Sequence, residues 1–393
     1  TLLQPRDFIN SLQLLSALAL VVLGLLVAGF VGGAPVEGVE GRPALEMAAP
    51  AFQMSDVGAP VLFPFLFITI ACGAISGFHC LVSSGTSSKQ LKCETDAQFV
   101  GYGSMLTEGF LATLVILACV AGLGLGIKGA DGAVLMGADA FESRYGSWAA
   151  AGGLGAKVGA FVDGSANFLK AIGLPAGFSV ALMGVFVASF AATTLDSACR
   201  LQRYVIQELA GTFVQPDRGG KIVMGANPFS WLTNRHGATI FAVATAFLMA
   251  AIPPSGAEWG WANVGRGGLI LWPMFGATNQ LLGGLAFLVI AFWMWRRRIP
   301  VWFIVIPTVF MLIMPAWGLA HQMFVQGVGM ETSWLAAENK NWTLIVIGLT
   351  TIALEVWMVT EALLAWPKAK GVLEEAIGGA SDGVGSAEGG RSC

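Results

Sequence analysis

The chain has 393 residues, of which 55% are hydrophobic and only 11% charged, with a mean hydropathy of +0.72 and a formal net charge of −3. Soluble domains carry about 25% charged residues, so this composition excludes one, and the 21 Lys and Arg form no basic footprint for nucleic acid. The charges are bunched between apolar runs of about 20 residues, which predicts an all-α, polytopic helical membrane protein.

Eight runs are long enough to span: 8–30, 60–82, 102–127, 177–199, 237–256, 268–295, 300–320 and 341–366. The opening TLLQPRDFIN holds neither an initiator Met nor a signal peptide, so the chain reads as starting inside something longer. With the N-terminus in the cytoplasm, 14 of the 21 basic residues fall on the inner side, and both ends lie there. The triplet Arg296-Arg297-Arg298 is the firmest anchor, and the acidic loop with Glu37, Glu40, Glu46 and Asp56 fits the outside.

The stretch Ser76–Leu91, SGFHCLVSSGTSSKQL, closes the second run and follows Gly73. Glycines and hydroxyls at the end of a span predict a broken or closely packed helix. Two readings follow. Freed backbone and hydroxyls face a ligand or ion, or glycines admit a neighbour and serines bond across to it. In the long loop 128–176, Gly152–Lys170 suits a short amphipathic helix on the outer interface. The fourth run continues as RLQRYVIQELAG, so its helix extends beyond the membrane, and Asn227-Pro228 resets the chain. In the sixth run Trp272-Pro273 and Gly276 predict a kink. Thr278, Asn279 and Gln280 there read as interhelical glue in preference to a substrate path. Composition divides the chain into 1–226 (four spans and a long outer loop), 227–366 (four spans) and a disordered Gly/Ser-rich tail, 367–393.

Ionisable and hydroxyl groups inside spans are the candidates for chemistry. Thr193, Thr194, Asp196, Ser197, Arg200 and Arg203 fall within three turns of the fourth run, and Thr193, Ser197 and Arg200 share a face. Hydroxyls and a carboxylate are hard ligands for Na⁺, and a carboxylate carries H⁺. The plainer alternative is an Asp196–Arg200 pair at the membrane edge, with hydroxyls bonding back to helix carbonyls. Glu108 and Glu355 are intramembrane carboxylates and candidates by that fact alone. His79 is more simply a packing residue than a proton relay. Of the six cysteines, four lie in or at the ends of predicted spans and read as free thiols, and none has metal-ligand spacing. No Walker loop, hydrolase elbow, metalloprotease helix or dinucleotide fingerprint is present. Glu108, Glu355 and His79 sit on separate spans, which argues against an enzyme.

SGFHCLVSSGTSSKQL, TTLDSACRLQRYVIQEL, LWPMFGATNQLLGGLAF and LLQPRDFIN together resemble the carbon starvation protein (CstA) family, from Leu2 to about Leu285. That resemblance implies an inner-membrane secondary transporter of small peptides or pyruvate, serving nutrient uptake in carbon starvation. It implies H⁺ or Na⁺ as coupling ion, no other cofactor, and a relation to the amino acid–polyamine–organocation superfamily, hence a broken-helix core like that of LeuT. Ser76, Gly77, His79, Ser83, Ser84, Gly85 and Thr86 would then line the substrate path. Asp196 would couple the ion, with Thr193, Thr194 and Ser197 as oxygen ligands and Glu108 and Glu355 as further coupling groups. Family members carry spans before the LLQPRDF segment, so upstream spans, on this or another chain, are expected to complete the site. The alternative class is a membrane metabolite sensor, or a subunit that does not transport alone, with 200–236 as its docking surface.

Overall fold

The computed structural model describes residues 3–371 except 37–39, 53–60, 130–131, 149–150, 152–153, 215–228, 254–257, 262, 266, 327–332 and 337–339. Glu37, Asp56, Asn227-Pro228 and the tail from 372 lie outside the described residues.

Twelve α-helices run in chain order among the described residues. They are α1 (Leu3–Val31), α2 (Phe67–Ala74), α3 (Gly77–Gly85), α4 (Asp96–Leu117), α5 (Gly137–Tyr145), α6 (Leu154–Ala171), α7 (Ala176–Phe213), α8 (Ser230–Thr233), α9 (Arg235–Ala251), α10 (Trp272–Arg296), α11 (Trp302–Phe324) and α12 (Trp342–Ala369). A two-stranded antiparallel ribbon pairs β1 (Ile127–Lys128) with β2 (Val134–Leu135). Among the described residues, seven stretches are helical, long and apolar enough to cross a membrane: Phe8–Val31, Leu62–Lys89, Asp96–Leu125, Ala176–Phe213, Gly267–Arg296, Trp302–Phe324 and Trp342–Ala369. They answer to seven of the eight expected runs.

The eighth, 237–256, is α9, only 17 residues long. Asn234 caps its start by accepting the His236 N–H, and the helix stops at Ala251, two residues before Pro253. Proline cannot continue a helix, so this run is shorter than the about 20 residues a full crossing takes. The expected kink at Pro273 is also absent. A 3₁₀ turn, Gly267–Leu271, leads into α10, and Pro273 stands in its first turn, where a missing N–H costs nothing. As expected, α7 runs 38 residues unbroken, about 57 Å at 1.5 Å per residue. Cys72, Cys80, Cys119 and Cys199 are free thiols.

The contacts divide the chain into two compact units, 1–59 with 94–198 and 60–93 with 199–393. In the first, Ala17, Leu18 and Val21 of α1 meet Leu114 of α4, Ala118 just past its end, Phe168 and Leu169 of α6, and Met183 and Phe186 of α7. The amphipathic helix expected on the outer interface is this unit's central element instead. Ser165, Ala166, Phe168 and Leu169 of α6 are fully buried. Its glycines are the reason. A Cβ on Gly164 would strike the Ala118 carbonyl, and one on Gly122 the Gly164 backbone, so the two segments touch main chain to main chain. Here α4 loosens into a π turn, Ala118–Gly122, then a 3₁₀ turn, Leu123–Leu125. Asn167 of α6 donates to the freed carbonyls of Gly122 (2.8 Å) and Gly126 (3.0 Å). Arg42 straps the loop after α1 down by donating to the carbonyls of Gly33 and Ala171, both at 2.7 Å. Arg144 of α5 pairs with Asp163 of α6 at 2.6 Å.

In the second unit, Ile68 of α2, Met274 and Ala277 of α10, Leu319 and Met323 of α11, and Leu344 and Ile345 of α12 pack around Trp334. The far ends of α10 and α12 are clamped together. Trp295 stacks on Trp366 with ring centres 5.1 Å apart and donates its indole N–H to the Trp366 carbonyl at 2.9 Å. Arg297 lies over Trp293 (4.0 Å) and Lys370 over Trp295 (4.7 Å). Aromatic rings and cations of this kind gather at a membrane interface.

Candidate functional site

The span Leu62–Lys89 is broken. α2 ends at Ala74, Ile75 and Ser76 leave helical geometry, and α3 starts at Gly77. A break inside a span frees backbone groups that lipid cannot satisfy. The chain satisfies them locally and from α10. The Phe78 N–H donates to Ser76 Oγ (3.2 Å) and to Asn279 Oδ1 (3.0 Å). Asn279 Nδ2 donates in turn to Ser76 Oγ (2.9 Å) and Cys72 Sγ (3.1 Å). Gln280 Nε2 leans toward the Ile75 carbonyl at 3.4 Å. Gln280 is fully buried, yet its Oε1 has no hydrogen-bond partner among the described residues.

Two glycines set this crossing. A Cβ on Gly77 would run into the Asn279 carbonyl and Leu282 Cβ, so only glycine lets α3 lie against α10. Opposite it, a Cβ on Gly283 would sit 3.3 Å from the Ile75 carbonyl. The helix is broken and closely packed at once, and the reading in which glycines admit a neighbour and a serine bonds across to it is the one these contacts match. Asn279 is glue, as read, but the glue joins a broken helix to a whole one.

The candidate path residues divide into three groups. Ser76 and Gly77 form the break. His79, Ser83 and Ser84 are exposed along α3, with both serines bonding back to the Cys80 carbonyl at 3.0 and 2.9 Å. Gly85 and Thr86 end α3 against Leu201 of α7. The structure brings the first pair together with Asn279, Gln280 and Cys72, and leaves the other two groups apart from it.

The candidate coupling residues lie on separate helices. Thr193 joins a polar cluster that sequence reading missed. The Asn10 side-chain amide donates to Thr193 Oγ1, and Ser189 Oγ donates to Asn10 Oδ1 (2.8 Å) and Gln13 Oε1 (3.0 Å). Asn10 is 7% exposed. A polar residue in each of two apolar runs was the available signal, but nothing in sequence pairs residue 10 with residue 193. Thr194 is exposed and bonds back to the Phe190 carbonyl at 3.0 Å. Asp196 and Ser197 are half-buried on the same helix. Glu108 is exposed at a cleft of about 560 Å³ between α1 and α4, lined also by Leu14, Ser104 and Thr107. Glu355 differs from these. It is 6% exposed, on the face of α12 that buries Leu344, Ile345 and Gly348, and its Oε2 has no hydrogen-bond partner among the described residues. Among the described residues no group of three His, Cys, Asp or Glu is placed to hold a metal ion.

Seven apolar helices of spanning length among the described residues, one of them discontinuous and stitched to its neighbour, define a polytopic α-helical membrane protein with a broken span. The chain belongs to the family described as Carbon starvation protein CstA, which matches residues 1–318.

Among its relatives, the pyruvate/proton symporter BtsT of Escherichia coli (strain K12) is 29% identical over 84% of this chain and 49% of its own length. The peptide transporter CstA of Campylobacter jejuni is 30% identical, covering 81% of this chain and 45% of its own. That of Mycobacterium tuberculosis (strain H37Rv) is 31% identical, covering 76% and 41%. The chain spans about half the length of the curated relatives it matches. No solved structure matches it.

Proposed function

We propose that the chain serves secondary active transport of small peptides or pyruvate across the inner membrane, coupled to H⁺ or Na⁺. The observation that carries this reading is the break at Ile75–Ser76, held open by Asn279. Irregular backbone at membrane depth is tolerated where it is buried in protein or lines a cavity, and broken helices of this sort build midplane sites in transporters. The printed functions of the relatives, peptide transport and pyruvate/proton symport, support the same class.

Glu355 is the better-supported proton carrier. It is buried within a span with one carboxyl oxygen unpartnered among the described residues, and an intramembrane carboxylate is a candidate for a proton relay by default. Asp196 is the rival, and Thr193 with Asn10, Gln13 and Ser189 supplies the oxygen atoms for a Na⁺ alternative. The excess of basic residues and the Arg296-Arg297-Arg298 triplet support cytoplasmic termini. Uptake of labelled pyruvate and labelled alanyl-alanine into proteoliposomes under a pH or sodium gradient tests the reading. Glu355→Gln is expected to lose gradient-driven uptake and to keep solute exchange. Equal loss of both would remove Glu355 from coupling and leave Asp196→Asn to be compared in the same way.

A further inference from the structure

The end of α3 meets α7 at a second constellation of polar groups. Gly85 has no side chain, and Leu201 of α7 occupies the place where its Cβ would be. Thr86 then leaves helical geometry (φ −133, ψ −61), and a short 3₁₀ turn carries the chain to Lys89. This close approach brings two cations to one aromatic ring. Lys89 Nζ lies 4.9 Å from the centre of the Tyr204 ring, and the Arg203 guanidinium carbon lies 4.8 Å from it.

Two like charges within a Debye length, about 10 Å at ordinary salt, repel each other. A ring face attracts each of them but supplies no counter-charge. Among the described residues neither cation forms an ion pair with a carboxylate. The donors around them are also unspent. Arg203 Nε–H and Thr86 Oγ1 are both buried from solvent with no hydrogen-bond partner among the described residues. A buried guanidinium N–H without an acceptor carries its full desolvation penalty, and the hydroxyl of Thr86, at the end of α3 that meets α7, is in the same state.

We propose that Lys89, Arg203 and Thr86, arranged on Tyr204, form a binding site for the carboxylate of a small organic acid or peptide. An oxyanion seated there accepts from Arg203 Nε–H and the Thr86 hydroxyl and neutralises the charge of Lys89. A guanidinium is suited to this because its N–H groups match carboxylate geometry. The site sits at the end of the broken span opposite to the break, so it would hold the charged end of a solute on its way to or from the Ser76–Asn279 crossing. The inference deepens the transporter reading and rests on it for the choice of carboxylate.

The test is equilibrium binding of labelled pyruvate, and separately of labelled alanyl-alanine, to the full chain in nanodiscs of phosphatidylcholine. Arg203→Gln and Lys89→Gln are each expected to weaken binding of at least one probe on the order of tenfold or more. Arg203→Lys keeps the charge and loses Nε–H, so it should fall between Arg203→Gln and wild type. Lys92→Gln, an exposed lysine three residues on, should bind as wild type does. Unchanged binding in both Gln variants, with elution as a single species, overturns the site. So does a result in which both variants lose only retained phosphatidylglycerol, read by native mass spectrometry, because the anion is then a lipid phosphate. Charge-dependent binding without uptake would leave the site standing and sink the transport reading. Uptake with charge-independent binding would do the reverse.

Discussion

Two seams in the molecule are built from the same parts and end in different states. In the first unit, Gly164 of α6 lies against the loosened end of α4 and Asn167 bonds the carbonyls freed there. In the second, Gly77 of α3 lies against α10 and Asn279 bonds the N–H freed by the break. Each seam pairs a glycine approach with one asparagine that repairs irregular backbone. Asn167 acts only as a donor, to two carbonyls that end a helix. Asn279 acts as acceptor and donor together, and beside it the buried Gln280 keeps one oxygen unpartnered. Both seams also keep one buried side-chain oxygen without a partner among the described residues, Ser165 Oγ beside Asn167 and Gln280 Oε1 beside Asn279, so what separates them is the asparagine's role, donor alone in the first and acceptor with donor in the second.

Substituting the glycines should give the largest effects. Gly164→Val and Gly77→Val each drive a side chain into main chain, which costs about 3 kcal/mol when neighbours are backbone. Both should lower the thermal unfolding midpoint of the detergent-purified chain. A tolerated Gly77→Val would mean that α3 and α10 separate freely, and the second seam would then not be packed as described.

The asparagines sharpen the contrast, with effects of about 1–3 kcal/mol. Asn167→Ala and Asn279→Ala should both destabilise. Asparagine-to-aspartic acid should separate them. Asn279→Asp keeps an acceptor for the Phe78 N–H and recovers part of the loss, whereas Asn167→Asp removes the amide donor that both of its bonds need. Equal recovery at the two sites would break the donor-versus-acceptor distinction.

A smaller effect is expected from Lys170, at the end of α6. Burial, above all, holds its ammonium below the usual range, while Asp163 pulls it back up and Lys128 pushes it further down. The unfolded chain therefore keeps this proton to higher pH than the folded one does. Stability from this group should rise as pH climbs from the lowered folded value toward the ordinary 10.5. Lys170→Met should flatten that rise in unfolding midpoint against pH. The smallest effect belongs to Thr194→Val. Its hydroxyl is exposed and bonds its own helix, so the change should stay within about 0.5 kcal/mol, whereas Thr193→Val severs the link to Asn10 and should cost about 0.6–1.7 kcal/mol.

The membrane class, the unbroken length of α7 and the interruption near Gly77 were legible because each is written in local composition. Apolar runs of spanning length, a helical pattern continuing past Ser197, and a cluster of Gly and Ser leave local marks. What was not legible depended on partners. The small residues of α6 look like weak amphipathy, but Gly164, Ser165 and Ala166 are the contact surface itself. Pro273 looks like a kink until the turn ahead of it makes it a first-turn residue. Asn10 and Gln13 of α1 meet Ser189 and Thr193 of α7 from a helix far away in sequence, and no spacing rule links the two pairs. The hydroxyls of Ser83, Ser84 and Thr194 donate back to their own helices, a local partner that spacing alone does not foretell.

The Trp295–Trp366 clamp makes α10 a cantilever. Its far end is tied to α12 by a stacked pair and an indole hydrogen bond, so a tilt of α10 about that end would pivot there. Asn279 stands 16 residues up the helix, about 24 Å from that pivot, where a tilt of about 5° sweeps an arc of about 2 Å. That is travel enough to part Asn279 from Ser76 and Phe78. A change of angle too slight to disturb the clamp would open or close the stitched break at the tip.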